Sequence, residues 1–215
     1  MNRLLIIIFL FVAAGVSAQR YEFDKSLSEQ EWQYIGTPDS TKYELCNGCL
    51  RLYGSVYDLS EGRDFTFVGQ ALPDKDFTFE TKLTMLDSFD GDEGGICLCR
   101  SREAYAACCI SNYHGDHHLK LCLQLFSHKL TLYERSIGTL RTLWLRVTQC
   151  DGKYVFQYSP DNEKWQTVQS VEKRLLSPIV TGSDSALLAG PYCFTGNSKY
   201  NAGYTYADFD YAEYK

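Results

Sequence analysis

Past residue 16 the sequence contains no long apolar run, and nowhere does it space its apolar residues as a long helix would. The first absence excludes a helical membrane span, which needs about 20 consecutive apolar residues. The second leaves only about 171–177 (VEKRLLS) able to hold a helical turn, and so removes the helix-rich fold classes. Positive charge is also scarce: 21 Lys and Arg stand against 27 Asp and Glu, without clustering. That balance argues against nucleic acid and against anionic membrane surfaces as partners. There is no internal repeat, no low-complexity tract and no linker, so the length suits one large domain.

The one apolar run, Leu4 to Val16 in MNRLLIIIFLFVAAGVSAQ, follows a single basic residue and precedes Val-Ser-Ala. This is the pattern of a secretory signal spanning 1–18 and cut after Ala18. No Cys follows the cut, which argues against a lipoprotein anchor. The expected product is the 19–215 chain, a single domain exported to the extracellular space or the periplasm.

What fills that domain is alternation with a period of two. Phe77, Phe79, Leu83 and Met85 alternate with Thr78, Glu80, Lys82 and Thr84, and Leu119, Leu121, Leu123 and Leu125 with Lys120, Cys122 and Gln124. Leu50/Leu52, Phe65/Phe67, Leu130/Leu132, Leu143/Leu145/Val147 and Ala207/Phe209/Tyr211 repeat the pattern. Gly, Asn, Asp or Pro punctuates the gaps, as in Asn47-Gly48, Pro73-Asp74 and Asp90-Gly91. Many short strands without intervening helices predict an all-β sandwich of two antiparallel sheets.

The stretch LRVTQCDGKYVFQYSPDNEKW (145–165) fixes a register. Asp151-Gly152 is a two-residue hairpin turn, since both positions tolerate positive φ. Cys150 then faces Lys153; counting back from that pair, Val147 faces Phe156 and Leu145 faces Tyr158, both pairs on one side. Trp144, Arg146 and Gln157 fall together on the other side, outside the core. Sugars present flat apolar faces and hydroxyl pairs, so an exposed Trp beside an Arg and a Gln is the chemistry needed to bind them. The competing reading is that a second layer or a loop packs over Trp144.

At this point six stretches taken in order resemble something known: WQYIGTPD (32–39), CLRLYG (49–54), FVGQALPDKDFTFETKL (67–83), GKYVFQYSPDNEKW (152–165), VEKRLLSP (171–178) and YADFDYAEY (206–214). Together they resemble the C-terminal β-sandwich of family 43 glycoside hydrolases, the β-xylosidases and arabinofuranosidases, which is a concanavalin A-like jelly roll. The resemblance covers essentially the whole of 19–215. It implies a polysaccharide or oligosaccharide as partner, and a separate glycoside hydrolase catalytic domain as a further one. In that family the catalytic residues lie on an N-terminal five-bladed propeller, and none of that propeller is present here. The sandwich also lends the active site an aromatic from a late loop, which aligns with SALLAGPYCFTGN (185–197), where Leu187 takes the aromatic position. The resemblance therefore implies a secreted, non-catalytic carbohydrate-recognition module. The alternative is a glycoside hydrolase or other polysaccharide-processing enzyme, or its accessory subunit.

Residues for an enzyme of its own are few. Glycosidases need carboxyl pairs about 5–5.5 Å or 6.5–9.5 Å apart. Asp76 and Glu80 lie roughly 13 Å apart along one strand, whereas Asp208 and Asp210 are roughly 6.7 Å apart by backbone rise. The latter pair reads as an acid–base candidate, as ligands of a structural cation or as a solvated strand face. The E-x-D-x-x-E signature of related sandwich glucanases and the G-x-S-x-G elbow are both missing.

Metal sites are expected only in outline. Asp87, Asp90 and Asp92 sit in one loop, DSFDGDEGG (87–95), as oxygen ligands for a structural calcium or as an acidic hairpin loop. YHGDHH (113–118) gathers three histidines, but adjacent His117 and His118 must point to opposite sides of a strand. A Gly-containing hairpin loop fits that stretch better than a zinc site. The nine cysteines are an odd number, so at least one thiol is free. Cys97 and Cys99 share a strand side and read as small core residues. Cys46-Asn47-Gly48-Cys49 spans a turn, and reads equally as a local bridge or as two plain thiols. With no helix after it, the pair lacks the N-terminal dipole that a redox C-x-x-C uses.

Overall fold

A computed structural model describes residues 18–28, 30–34, 43–54, 66–73, 75–86, 89–196 and 205–215. The expected leader therefore lies outside the described residues except for Ala18. No helix among the described residues is long and apolar enough to cross a membrane.

Among the described residues, sixteen strands form two antiparallel sheets. The nine-stranded sheet runs β13 (Gln166–Glu172), β12 (Lys153–Ser159), β11 (Thr142–Cys150), β6 (Thr78–Leu86), β15 (Tyr206–Phe209), β4 (Cys49–Tyr53), β3 (Tyr43–Cys46). To it β16 (Ala212–Tyr214) is added beside β6, with β1 (Gln19–Tyr21) on β16. The seven-stranded sheet runs β10 (His128–Gly138), β9 (Asp116–Leu125), β8 (Ala104–Tyr113), β7 (Glu93–Ser101), β14 (Leu188–Phe194), β5 (Thr66–Ala71), β2 (Gln33–Tyr34). The sole helical pieces described are a 3-10 turn, Lys173–Leu176, and one α turn, Pro178–Thr181, within and just beyond the stretch expected to hold one.

The core lies between the sheets and is built from the alternating residues. Leu50, Leu52, Phe79, Leu83, Met85, Leu143, Leu145, Val147 and Phe156 on the first sheet meet Ile96, Leu98, Ile110, Leu119 and Leu121 on the second, all essentially inaccessible. Removing such side chains from water is the main stabilising contribution of the fold. The seven-stranded sheet is buried on its outer face as well. Phe67, Cys97, Cys99, Tyr105, Cys109, Leu188 and Tyr192 form a second apolar cluster there. The placing of Cys97 and Cys99 on one strand side, as small packing residues, holds.

One strand departs from the expected alternation. Phe209 stands opposite Leu83 and Glu213 opposite Glu80, so four steps on one chain match three on the other. The extra residue is a β-bulge at the Asp210 bend. It turns Tyr211 away from the side of Ala207 and Phe209, where the sequence places it, and onto the outer face. There its hydroxyl donates to Glu80 Oε1 at 2.7 Å.

Strand β10 forms an outer edge of its sheet, eleven residues long. It follows β9 with register shifts between Thr131 and Tyr133 and between Ser136 and Gly138.

Candidate functional site

The β11–β12 hairpin has the register that its turn dictates. Asp151 and Gly152 take φ values of 49° and 72°. Cys150 pairs with Lys153, Val147 with Phe156, Leu145 with Tyr158, Arg146 with Gln157 and Trp144 with Ser159. Inner members are buried, whereas Trp144, Arg146 and Gln157 are half-buried on the outer face of the nine-stranded sheet.

Arg146 organises that face. Its Nε and Nη2 both donate to Gln157 Oε1, at 3.1 and 2.9 Å. Its Nη1 lies 3.9 Å from Glu80 Oε2, so the cation, with Tyr211, compensates a carboxylate that is 6% exposed. The guanidinium carbon stands 3.9 Å from the centre of the Trp165 ring. Trp165 is half-buried and lies one residue beyond the Tyr158–Gln166 pair. It thus falls in line with the outer residues, although its position after a tight turn makes it look an unpromising platform in the sequence. On the other side, Lys82 Nζ stands 5.4 Å from the centre of the Trp144 ring and 2.5 Å from Asp210 Oδ2. The result is two half-exposed indoles on one strand face, separated by a guanidinium–amide pair. Trp32, by contrast, is 2% exposed and packs against Tyr21 and Phe23.

Asp208 and Asp210 both reach this face, as their spacing implies, and each is paired with a cation. Arg51 Nε and Nη2 hold the two oxygens of Asp208 at 2.7 and 2.8 Å, a fork that raises the guanidinium's pKa further above its ordinary value. Lys82 holds Asp210. Glu213, the cross-strand neighbour of Glu80, lies 3.1 Å from Lys215 and 3.8 Å from Arg20. Burial, and then Glu80, push the Tyr211 phenol well above its usual range. Asp76 accepts from Gln149 at 3.3 Å.

The acidic loop is only partly described, because Asp87 lies outside the described residues. Asp92 is inaccessible and accepts from the amides of Phe89 and Gly196 and from the Thr205 hydroxyl. Burial raises its carboxyl above the ordinary range. Asp90 Oδ1 accepts the His114 amide at 2.7 Å, and its other oxygen lies 3.0 Å from the His114 ring. Among the described residues no three His, Cys, Asp or Glu side chains gather as a metal site. The histidines diverge as their alternation requires: His117 is buried, His118 meets Glu134 at 3.0 Å, and His114 sits in the turn. Leu187 is buried in the core, with its carbonyl accepting from Leu72 N at 2.9 Å.

Residues 20–215 match the family described as the β-xylosidase C-terminal concanavalin A-like domain. No curated protein sequence matches the chain. Among solved structures, a xyloglucan-locus GH43B of Bacteroides ovatus superposes with a TM-score of 0.82 at 18% identity. The GH43 protein BlXynB of Bacillus licheniformis gives 0.82 at 23%, and a xylan β-1,4-xylosidase of Bacillus halodurans C-125 gives 0.81 at 17%. Each match covers 91% of this chain but only 38% of the other, so this chain spans well under half the length of those enzymes.

Proposed function

The chain belongs to the family of β-xylosidase C-terminal concanavalin A-like domains, and from that premise we propose that it is a secreted, non-catalytic module that binds plant or cell-wall polysaccharide. The observation that carries this reading is the outer face on which Trp144, Arg146, Gln157 and Trp165 lie together. An indole ring offers an apolar plane for the C–H face of a sugar, and the guanidinium and amide offer donors and an acceptor for its hydroxyls. The non-catalytic part of the reading is supported by the cation pairing of Asp208 and Asp210.

Affinity electrophoresis against xylan, arabinan and β-glucan, with a reducing-sugar assay on the same substrates, tests the proposal. Retardation by at least one glycan without release of reducing ends is the expected result. Hydrolysis abolished by Asp208→Asn or Asp210→Asn would instead favour the enzyme.

A second reading, docking onto a separately encoded glycoside hydrolase catalytic domain, is favoured by the partial coverage of the longer relatives. Ile179, 95% exposed on the α turn beside the Leu187 loop, is an apolar contact available for it. Pull-down with a family 43 propeller, compared between wild type and Ile179→Glu, distinguishes docking from glycan binding. We also propose a structural calcium in the 87–95 loop, read out as a melting shift on chelation.

A further inference from the structure

Nine thiols are described and six of them are buried; Cys46, Cys49 and Cys150 alone are part-exposed. Two of these three are direct partners. Cys46 and Cys49 flank the Asn47-Gly48 turn and stand opposite each other in the β3–β4 ladder. Asn47 and Gly48 take φ values of 53° and 75°, both in the left-handed region, as a two-residue hairpin turn requires. The positions flanking such a turn form a hydrogen-bonded cross-strand pair, whose Cα atoms are about 5.5 Å apart. A disulfide accepts Cα separations of about 4.4–6.8 Å, a range that includes such a pair, and closure draws the two Cβ atoms together across the turn. Both side chains leave the sheet on the same side, the outer face that also carries Arg51 and Asp210.

We propose that Cys46 and Cys49 are a bridging pair that closes in an oxidising compartment, using a small-molecule disulfide such as oxidised glutathione as the electron acceptor. One thiol, as its thiolate, attacks a glutathione sulfur; the S–S bond of glutathione breaks and one reduced glutathione leaves. The second cysteine's sulfur then attacks the protein sulfur of that mixed disulfide, and a second glutathione departs. Two protein thiols have lost two electrons and two protons, and the oxidised glutathione has taken up both as two thiols. Burial raises the pKa of the Cys46 thiol, and Cys49 donates its S–H to Asp210 Oδ1 at 3.6 Å. Burial and that carboxylate push the Cys49 thiol up to about 11, and its thiolate is correspondingly scarce. The competing partners are poorly placed, because Cys150 ends β11, paired with Lys153, and the rest are buried.

The test uses the full chain, reduced and then exposed to oxidised glutathione, followed by iodoacetamide labelling and peptide mapping. The expected product loses about 2 Da, the two thiol hydrogens, and Cys46 and Cys49 stop labelling while Cys150 still reacts with iodoacetamide or glutathione. Cys46→Ser should leave a glutathione adduct on Cys49, and Cys49→Ser one on Cys46, because neither variant can resolve the mixed disulfide. Stable glutathione adducts on Cys46 or Cys49 of the unsubstituted chain would overturn the proposal. So would continued labelling of both.

Discussion

The guanidinium carbon of Arg146 stands 3.9 Å from the centre of the Trp165 ring while two of the group's nitrogens donate to one oxygen of Gln157. A cation held on an aromatic face and fixed by a neighbouring amide presents its remaining donors in one direction. The sheet thus presents a pre-ordered polar patch between two indoles, and its parts can be removed singly.

Trp144→Ala and Trp165→Ala should each weaken glycan retention several-fold, since a stacked aromatic contributes on the order of 1 kcal/mol beyond its burial. Both rings are half-buried, so thermal midpoints should fall by no more than about 5 °C. Affinity electrophoresis beside a melting curve measures both. Unfolding without a binding defect would mean that the indole is packing.

Tyr211→Phe removes the hydroxyl that donates to the buried Glu80. Leaving an inaccessible carboxylate oxygen without its donor costs about 1–3 kcal/mol. Urea denaturation should show that loss with an unchanged slope. A variant as stable as wild type would place Glu80's satisfaction entirely on Arg146.

His117 gives a pH signature. Burial, followed by the nearby Arg141, lowers the imidazole's pKa, against the pull of the Leu140 and Thr139 carbonyls and of Asp116. The unfolded chain titrates near about 6.5. Because the folded value is lower, the contribution is complete above that pH and is lost as pH falls through the folded value. Stability should therefore decline as pH falls below about 6.5, and His117→Gln should flatten that slope; an unchanged slope would remove His117 as the cause. Asp92, raised by burial, acts with the opposite sign: its contribution is present below the unfolded aspartate value and lost as pH rises through the folded one.

Gly190→Ala tests the packing of backbone on backbone. A Cβ there would lie 2.0 Å from the Val68 carbonyl oxygen and 2.5 Å from Gly69 Cα. Neither atom is the end of a flexible side chain, so β14 and β5 must separate, at a cost of about 3 kcal/mol or more. Chemical denaturation of the purified variant, or its failure to accumulate as soluble protein, reads this out.

The two-residue period announced the sheets because one side of each strand must be dry, and the Asp151-Gly152 turn announced the β11–β12 register because few residues can take its dihedrals. The Asp210 bulge had no such signal. One inserted residue in FDYAEY leaves the polar–apolar alternation superficially intact, so Tyr211 reads as core. Burial on both faces of the seven-stranded sheet was written in YAACCI (105–110), a continuous apolar run of the kind found in doubly covered strands. Trp165 was hidden because its neighbour Arg146 lies 19 residues back in the chain, and only the three-stranded order β11-β12-β13 brings them together.

The two register shifts along β10 bear on what happens when many copies of the chain are crowded together. An eleven-residue straight edge would offer a row of free amides and carbonyls to any extended peptide. With the ladder interrupted after Thr131 and again after Ser136, an incoming strand can match it for only a few residues at a time. Lys129, Glu134 and Arg135 put charge along the same edge. The irregularity that makes this strand look imperfect is thus a safeguard against runaway filament growth from one molecule to the next.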